Sequence, residues 1–128
     1  MATQYNESVA AAETFELISA DKVEGTSVYN RTGENLGSIY RVMIDKLSGR
    51  VVYAVMSFGG FLGIGERYHP LPWSMLTYDP EQGGYVVDID RDLLEGAPTY
   101  DANETPDWAD PSWGRSVHDY YGVRGYWE

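Results

Sequence analysis

Two histidines, twenty carboxylates and one glycine-rich stretch are the parts of this chain that could do chemistry. The stretch is "SFGGFLGIGERYHP", residues 57–70, in which Gly60 and Gly65 stand with four residues between them, after the strand-like "RVVYAVM". That is the glycine spacing of a phosphate-binding loop, which needs a Lys and then a hydroxyl directly after its last glycine and a helix beyond them. Here Glu66 and Arg67 follow Gly65, and "RYHPLPW" carries two prolines that no regular helix accepts. The stretch therefore reads as a glycine-rich hairpin, with Phe61, Leu62 and Ile64 as an apolar tip that must be covered by the rest of the fold or by another chain. His69 and His118 stand 49 positions apart with no cysteine to join them. Zinc needs three or four convergent ligands, so no metal is expected, and each histidine reads as a hydrogen-bonded structural residue. "DANETPDWADPS" sets Asp101, Asn103, Thr105 and Asp107 at calcium-loop positions. Pro106 and Ser112 occupy the two places where such a loop requires Gly and Glu, which leaves a linker. No serine lies in G-x-S-x-G, and paired carboxylates follow from composition alone, so no catalytic residue and no cofactor is expected.

Charge narrows the partners. The net charge is −11, and residues 79–110 hold ten acids against Arg91 as the one base. Nucleic-acid affinity comes mainly from Lys and Arg neutralising phosphates, so neither DNA nor RNA is an expected partner. No apolar run is near the roughly 20 residues that span a bilayer, and the first residues lack the basic start of a secretory signal. We expect a cytoplasmic protein that does not insert in membranes.

The elements that must position these residues read mostly as strands. Residues 1–15 form a weakly patterned arm, and an apolar start, "FELI", opens the β-like part. "GTSVYN", "GSIYRVMID" and "RVVYAVMSF" follow, the last two joined by the hairpin loop "DKLSG" and apolar on both alternations. Pro70 and Pro72 confine "ERYHPLPWSML" to an edge strand or a strand end. "LTY" and "YVVDI" flank the turn "DPEQGG". "DIDRDLLEGAP" predicts a short helix capped by Asp90, with Leu93 and Leu94 facing inward and Gly96 ending it. Past an acidic linker, Asp110, Pro111 and Gly122 bound a second helix. Trp113, Val117, Tyr120 and Tyr121 mark one face of that helix, and Gly114 weakens it.

Three of four tryptophans, Trp108, Trp113 and Trp127, lie in the last 30 residues beside Tyr100, Tyr120, Tyr121 and Tyr126. A tail this short cannot bury that area alone. It packs within the chain, across a homodimer, or on a different protein, since Trp and Tyr dominate such anchors.

Residues 17–98 resemble the PRC-barrel domain. The resemblance rests on "G-x-x-V-Y-N-x-x-G-E-x-L-G", "I-D-x-x-S-G-R-V-x-Y-A-V", "G-G-F-L-G-I-G-E" and "P-W-S-x-L", in that order, closed by "YVVDIDRDLLEGAP". The family includes the barrel of the photosynthetic reaction-centre H subunit and that of a ribosome maturation factor. It implies a small antiparallel β-barrel over residues 16–98 acting as a non-catalytic assembly module, with no shared catalytic residue, metal or cofactor. Residues 99–128 lie outside it as an acidic linker and an aromatic helical tail. The resulting expectation is a mainly β adaptor, homodimeric and bound to a further protein. Its candidate contact surface is Phe61, Leu62, Ile64, Trp113, Val117, Tyr120, Tyr121 and Trp127. The alternative is a ligand pocket or enzyme site at the barrel mouth with Glu66, Tyr68 and His69 as its polar groups.

Overall fold

The computed structural model describes residues 13–128 apart from 15, 59–65, 102 and 105. Strands β1 (Ser27–Tyr29), β2 (Asn35–Ile44), β3 (Val51–Phe58), β4 (Arg67–Pro72), β5 (Leu76–Asp79), β6 (Gly84–Val87) and β7 (Tyr100–Asp101) form one sheet in the order β5-β6-β1-β2-β3-β4-β7. Helices are α1 (Ala20–Val23), α2 (Arg91–Glu95) and α3 (Pro111–Tyr121), with a 3-10 turn at Trp73–Met75. The expected mainly β fold, with a short helix after β6 and an aromatic helix near the C-terminus, is the fold observed. The sheet curls without closing into a ring, with β5 and β7 at its two ends. One neighbouring pair, β1 with β6, runs parallel, and every other pair is antiparallel. Among the described residues, the apolar start at 16–18 forms no strand. It contributes a single bridge between Glu13 and Ile18 and leads into α1, an element the β-like reading of that stretch did not contain.

Two of the hairpins follow from their turn residues. Between β2 and β3, the Asp45 carboxylate accepts from the Ser48 hydroxyl at 2.6 Å, and Gly49 takes φ 76°. Between β5 and β6, Asp79 accepts from the Glu81 backbone N–H at 2.9 Å and Gly83 takes φ 67°. β4 pairs with β3 from Arg67 to Pro72 but with β7 only at Arg67 and Tyr68. Pro70 and Pro72 thus occupy the stretch of β4 that no further strand joins among the described residues. An N–H there would find no ladder acceptor, and proline has none to lose.

Apolar side chains on one face of the sheet form the main core: Val28, Ile39, Ala54, Met56, Leu71 and Val87, closed by Val23 of α1 and Leu94 of α2. Asp90 caps α2 by accepting from the Leu93 N–H at 2.7 Å. Leu94 is fully buried, but Leu93 is 39% exposed, against the expectation that both face inward. Five helical residues turn too little surface toward the sheet to bury two adjacent side chains. Val55, Tyr68 and Tyr100 form a second cluster on the opposite face, packed by Met43, Trp108 and Trp113. β3 is therefore buried on both faces, which is why its sequence is apolar on both alternations.

At β2–β3 the backbones approach closely. A Cβ on Gly37 would overlap the carbonyl oxygen of Ser57, on the neighbouring β3. Gly37→Ala forces those two strands apart, and we expect it to cost about 1–3 kcal/mol, the usual range for overpacking. Urea unfolding followed by tryptophan fluorescence measures this. An unchanged midpoint would mean that the β2–β3 spacing yields freely.

Candidate functional site

The second face of β3 is where the tail folds back. Asp110 caps α3 by accepting from the backbone N–H of Ser112 at 2.9 Å, and Pro111 opens the helix. Gly122 ends it in the left-handed conformation (φ 68°), with Val123 N–H donating to the His118 carbonyl at 2.9 Å. That closure is a Schellman motif, and it turns the last residues back along the helix. Gly125 N–H then donates to the Glu128 carboxylate at 2.9 Å. The turn brings Tyr126 and Trp127 beside α3 and β3.

Their seat is His118. Its imidazole is 3% exposed and lies 5.0 Å from the Trp127 ring, 5.5 Å from Tyr53 and 6.2 Å from Tyr126, centroid to centroid. Nδ1 stands 3.1 Å from the Arg124 carbonyl, which can only accept, so Nδ1 carries the proton. Burial lowers the basicity of His118, against the opposing pull of that carbonyl. Gly114 has a packing reason as well. A Cβ there would meet the Tyr53 hydroxyl at 3.1 Å and the Trp127 ring at 3.4 Å, so its missing side chain lets both rings approach the helix. Burial pushes the Tyr53 phenol up to about 12, with Tyr126 adding to the effect.

What results is a cleft of about 560 Å³ between the β2–β3 hairpin and the tail. Met43, Tyr53, Trp108, Trp113, Tyr126 and Trp127 line it. Its rings stand at steep angles: Tyr53 to Tyr126 at 82°, Trp108 to Trp113 at 69° and Tyr126 to Trp127 at 77°. Asp45, Lys46, Asp110 and Arg115 bring charge to it. The Trp113 indole N–H is enclosed without a hydrogen-bond partner among the described residues. Ile44, Tyr126 and Trp127, all lining residues, are 48%, 45% and 49% exposed, and Leu47 beside Lys46 is 98% exposed.

The residues expected to form a contact surface separate. Trp113 and Trp127 meet in the cleft, and Val117 is buried beneath them. Tyr121 leans toward the main core, and its enclosed hydroxyl has no partner among the described residues. Tyr120 is 36% exposed and donates to the Leu93 carbonyl at 2.5 Å, tying α3 to α2. The inward face of α3 thus includes His118 and leaves Tyr120 at its margin. Phe61, Leu62 and Ile64 lie outside the described residues. Met43, Tyr53, Trp108 and Tyr126 were missing from the expected surface. Their signal was present in the outward alternation of β2 and β3 and in the aromatic content of the tail.

The alternative polar site does not assemble. Tyr68 donates to the Glu66 carboxylate at 3.4 Å on the second face of the sheet. His69, the next residue, points to the opposite face, edge-on to Phe58 at 5.4 Å. It is 2% exposed, and Nδ1 has no hydrogen-bond partner among the described residues, contrary to the expected hydrogen-bonded histidine.

The model of the PRC-barrel domain matches residues 15–94. The chain belongs to the PRC-barrel family. The matched part holds the strands β1–β6 and nearly all of α2, so the cleft is built by this PRC barrel together with residues beyond it. Among solved structures, the chain is similar to RimM of Pseudomonas aeruginosa, assigned to 16S ribosomal RNA processing, at 24% identity and a TM-score of 0.37. The match covers 60% of this chain and 48% of that one, so the chain spans about half the length of that protein. No curated protein matches the chain. No helix among the described residues is long and apolar enough to cross a membrane.

Burial, and secondarily the Arg67 charge, lowers the His69 pKa from the ordinary 6.5 to about 4. A depressed histidine contributes stability that is complete above pH 6.5 and is lost as pH falls from 6.5 toward 4, because the unfolded chain takes up the proton first. We expect the urea midpoint to fall across that window, and His69→Leu to fall less steeply. Ring titration followed by NMR is the direct check, and a midpoint near 6.5 would contradict the buried, neutral placement.

Proposed function

We propose that this PRC barrel is a non-catalytic interaction module that docks a protein partner on the aromatic cleft and pairs with a second copy of itself. The observation that carries this reading is the grouping of Ile44, Leu47, Tyr126 and Trp127. Ile44, Tyr126 and Trp127 line one cleft, and Leu47 follows its lining residue Lys46 on the same hairpin. Isolated exposed apolar residues are ordinary, whereas a contiguous group rimmed by charge marks an interaction site. Tryptophan and tyrosine in a pocket are the residue types that concentrate binding energy at protein interfaces. Nucleic acid remains a poor partner on a chain of net charge −11. Tyr68 and His69 face opposite sides of the sheet, which supports the non-catalytic reading over a polar site built on Glu66, Tyr68 and His69.

Substitution at the rim tests this; Leu47 is 98% exposed, and a urea midpoint for the Trp127 change separates loss of docking from loss of its ring contact with His118. Sedimentation velocity of the full chain at micromolar concentration should give a dimer, and the double variant Leu47→Ser, Trp127→Ser a monomer. The same variant should lose proteins that the native chain retains in affinity capture. A monomeric native chain would end the homodimer reading, and retention unchanged by the double variant would end the role of the cleft.

A further inference from the structure

We propose that the cleft receives an arginine side chain from a basic segment of the partner protein. This deepens the docking reading above and rests on it. Three features favour a cation. The first is the set of rings. Tyr53, Trp108, Trp113, Tyr126 and Trp127 line one cleft and pack on one another at interplanar angles from 45° to 82°. Each ring face carries the negative lobe of a quadrupole, which attracts a cation within about 6 Å and attracts it most strongly when the cation is tryptophan-bound and partly desolvated. The chain already uses the same contact elsewhere. Arg41 lies over the Tyr40 ring at 4.7 Å and Arg91 over Phe58 at 5.3 Å.

The second feature is the pair of carboxylates. Asp45 and Asp110 line the cleft, and hydrogen bonds from Ser48 and Ser112 hold both pKa values below the usual carboxylate range. Both therefore stay ionised at neutral pH. Lys46 and Arg115 also line the cleft, and the Arg115 charge adds to the lowering at Asp110, but both cations are exposed and the hydrogen bonds to the carboxylates come from the serines. The third feature is the field of the chain. Trp108 and Asp110 end the segment 79–110, which carries ten acids and one base, and the chain as a whole is at −11. That field draws a basic segment in and holds off an acidic one. Arginine suits the site better than lysine because its planar guanidinium stacks on a ring while donating in plane to a carboxylate.

The test uses the full chain and two peptides, acetyl-Gly-Arg-Gly-Arg-Gly-amide and its counterpart with citrulline in place of arginine. Citrulline keeps the shape and most hydrogen bonds of arginine and removes the charge. Indole N–H signals of Trp108, Trp113 and Trp127 in low salt should shift with the arginine peptide. Its affinity should exceed that of the citrulline peptide by about tenfold, as expected for a cation in an aromatic, partly desolvated site. Added salt should weaken it. Asp110→Asn, which keeps a good helix cap, and Trp127→Leu should each reduce the affinity about threefold or more. Equal affinity for the two peptides, or indole signals that neither peptide shifts, overturns the proposal. Neither result touches self-association or capture through Leu47 and Trp127, so the docking reading stands or falls separately.

Discussion

Strand β3 has no face for water. Tyr53, Ala54, Val55 and Met56 are four successive residues at 4% exposure or less, and a strand sends alternate side chains to opposite sides. The curl of the sheet, with α1 and α2, covers only the Ala54 and Met56 side. Something else must cover Tyr53 and Val55, and the described residues after β6 supply it. The tail is therefore part of the fold's second core.

That requirement explains the details of the tail. Asp110 and Gly122 fix where α3 starts and stops, so that Trp113, Val117 and His118 meet the sheet in register. Gly114 gives up helix propensity where the Tyr53 hydroxyl and Trp127 must come close. His118, an imidazole among three rings, satisfies its one proton on the Arg124 carbonyl and so holds the final turn against the helix. Three of the buried polar atoms without a partner among the described residues, Trp113 Nε1, His118 Nε2 and the Tyr121 hydroxyl, belong to α3. An unpaired buried polar group opposes burial by about 1–3 kcal/mol. The helix is thus held by ring contact and capping more than by polar bonds to the sheet.

Much of this was legible in the chain. Both hairpins, the edge position of Pro70 and Pro72, the Asp90 cap and the limits of α3 each depend on neighbours within a few positions. Local chemistry decides such features. The double-sided apolarity of β3 was visible too, and it meant that both faces needed cover. What covered the second face was not visible, because Tyr53 and Trp108 stand 55 positions apart and nothing local links them. His118 reads from the sequence as a hydrogen-bonded structural residue, and it is one through the Arg124 carbonyl, but nothing local links it to the ring of Tyr53 that packs on it. Tyr120 shows the converse. Helical spacing placed it on the inward face, but its hydroxyl could reach the Leu93 carbonyl only by standing at the margin. The alternation rule alone was enough to separate Tyr68 from His69 once both were placed on one strand.

The cleft follows from an imbalance between what β3 needs and what the tail brings. Covering Tyr53 and Val55 takes the rings of Trp108 and Trp113, which pack tightly enough to close the second cluster. Tyr126 and Trp127 come in addition, and each leaves close to half its surface in solvent. Edge-to-face contacts, which aromatic pairs prefer over a face-to-face sandwich, join these rings. Aromatic area beyond the requirement of the core is then held rigid and accessible, beside two carboxylates kept ionised by their own turns. The fold's need for a cover places the tail, and the surplus of that cover is the surface proposed for docking.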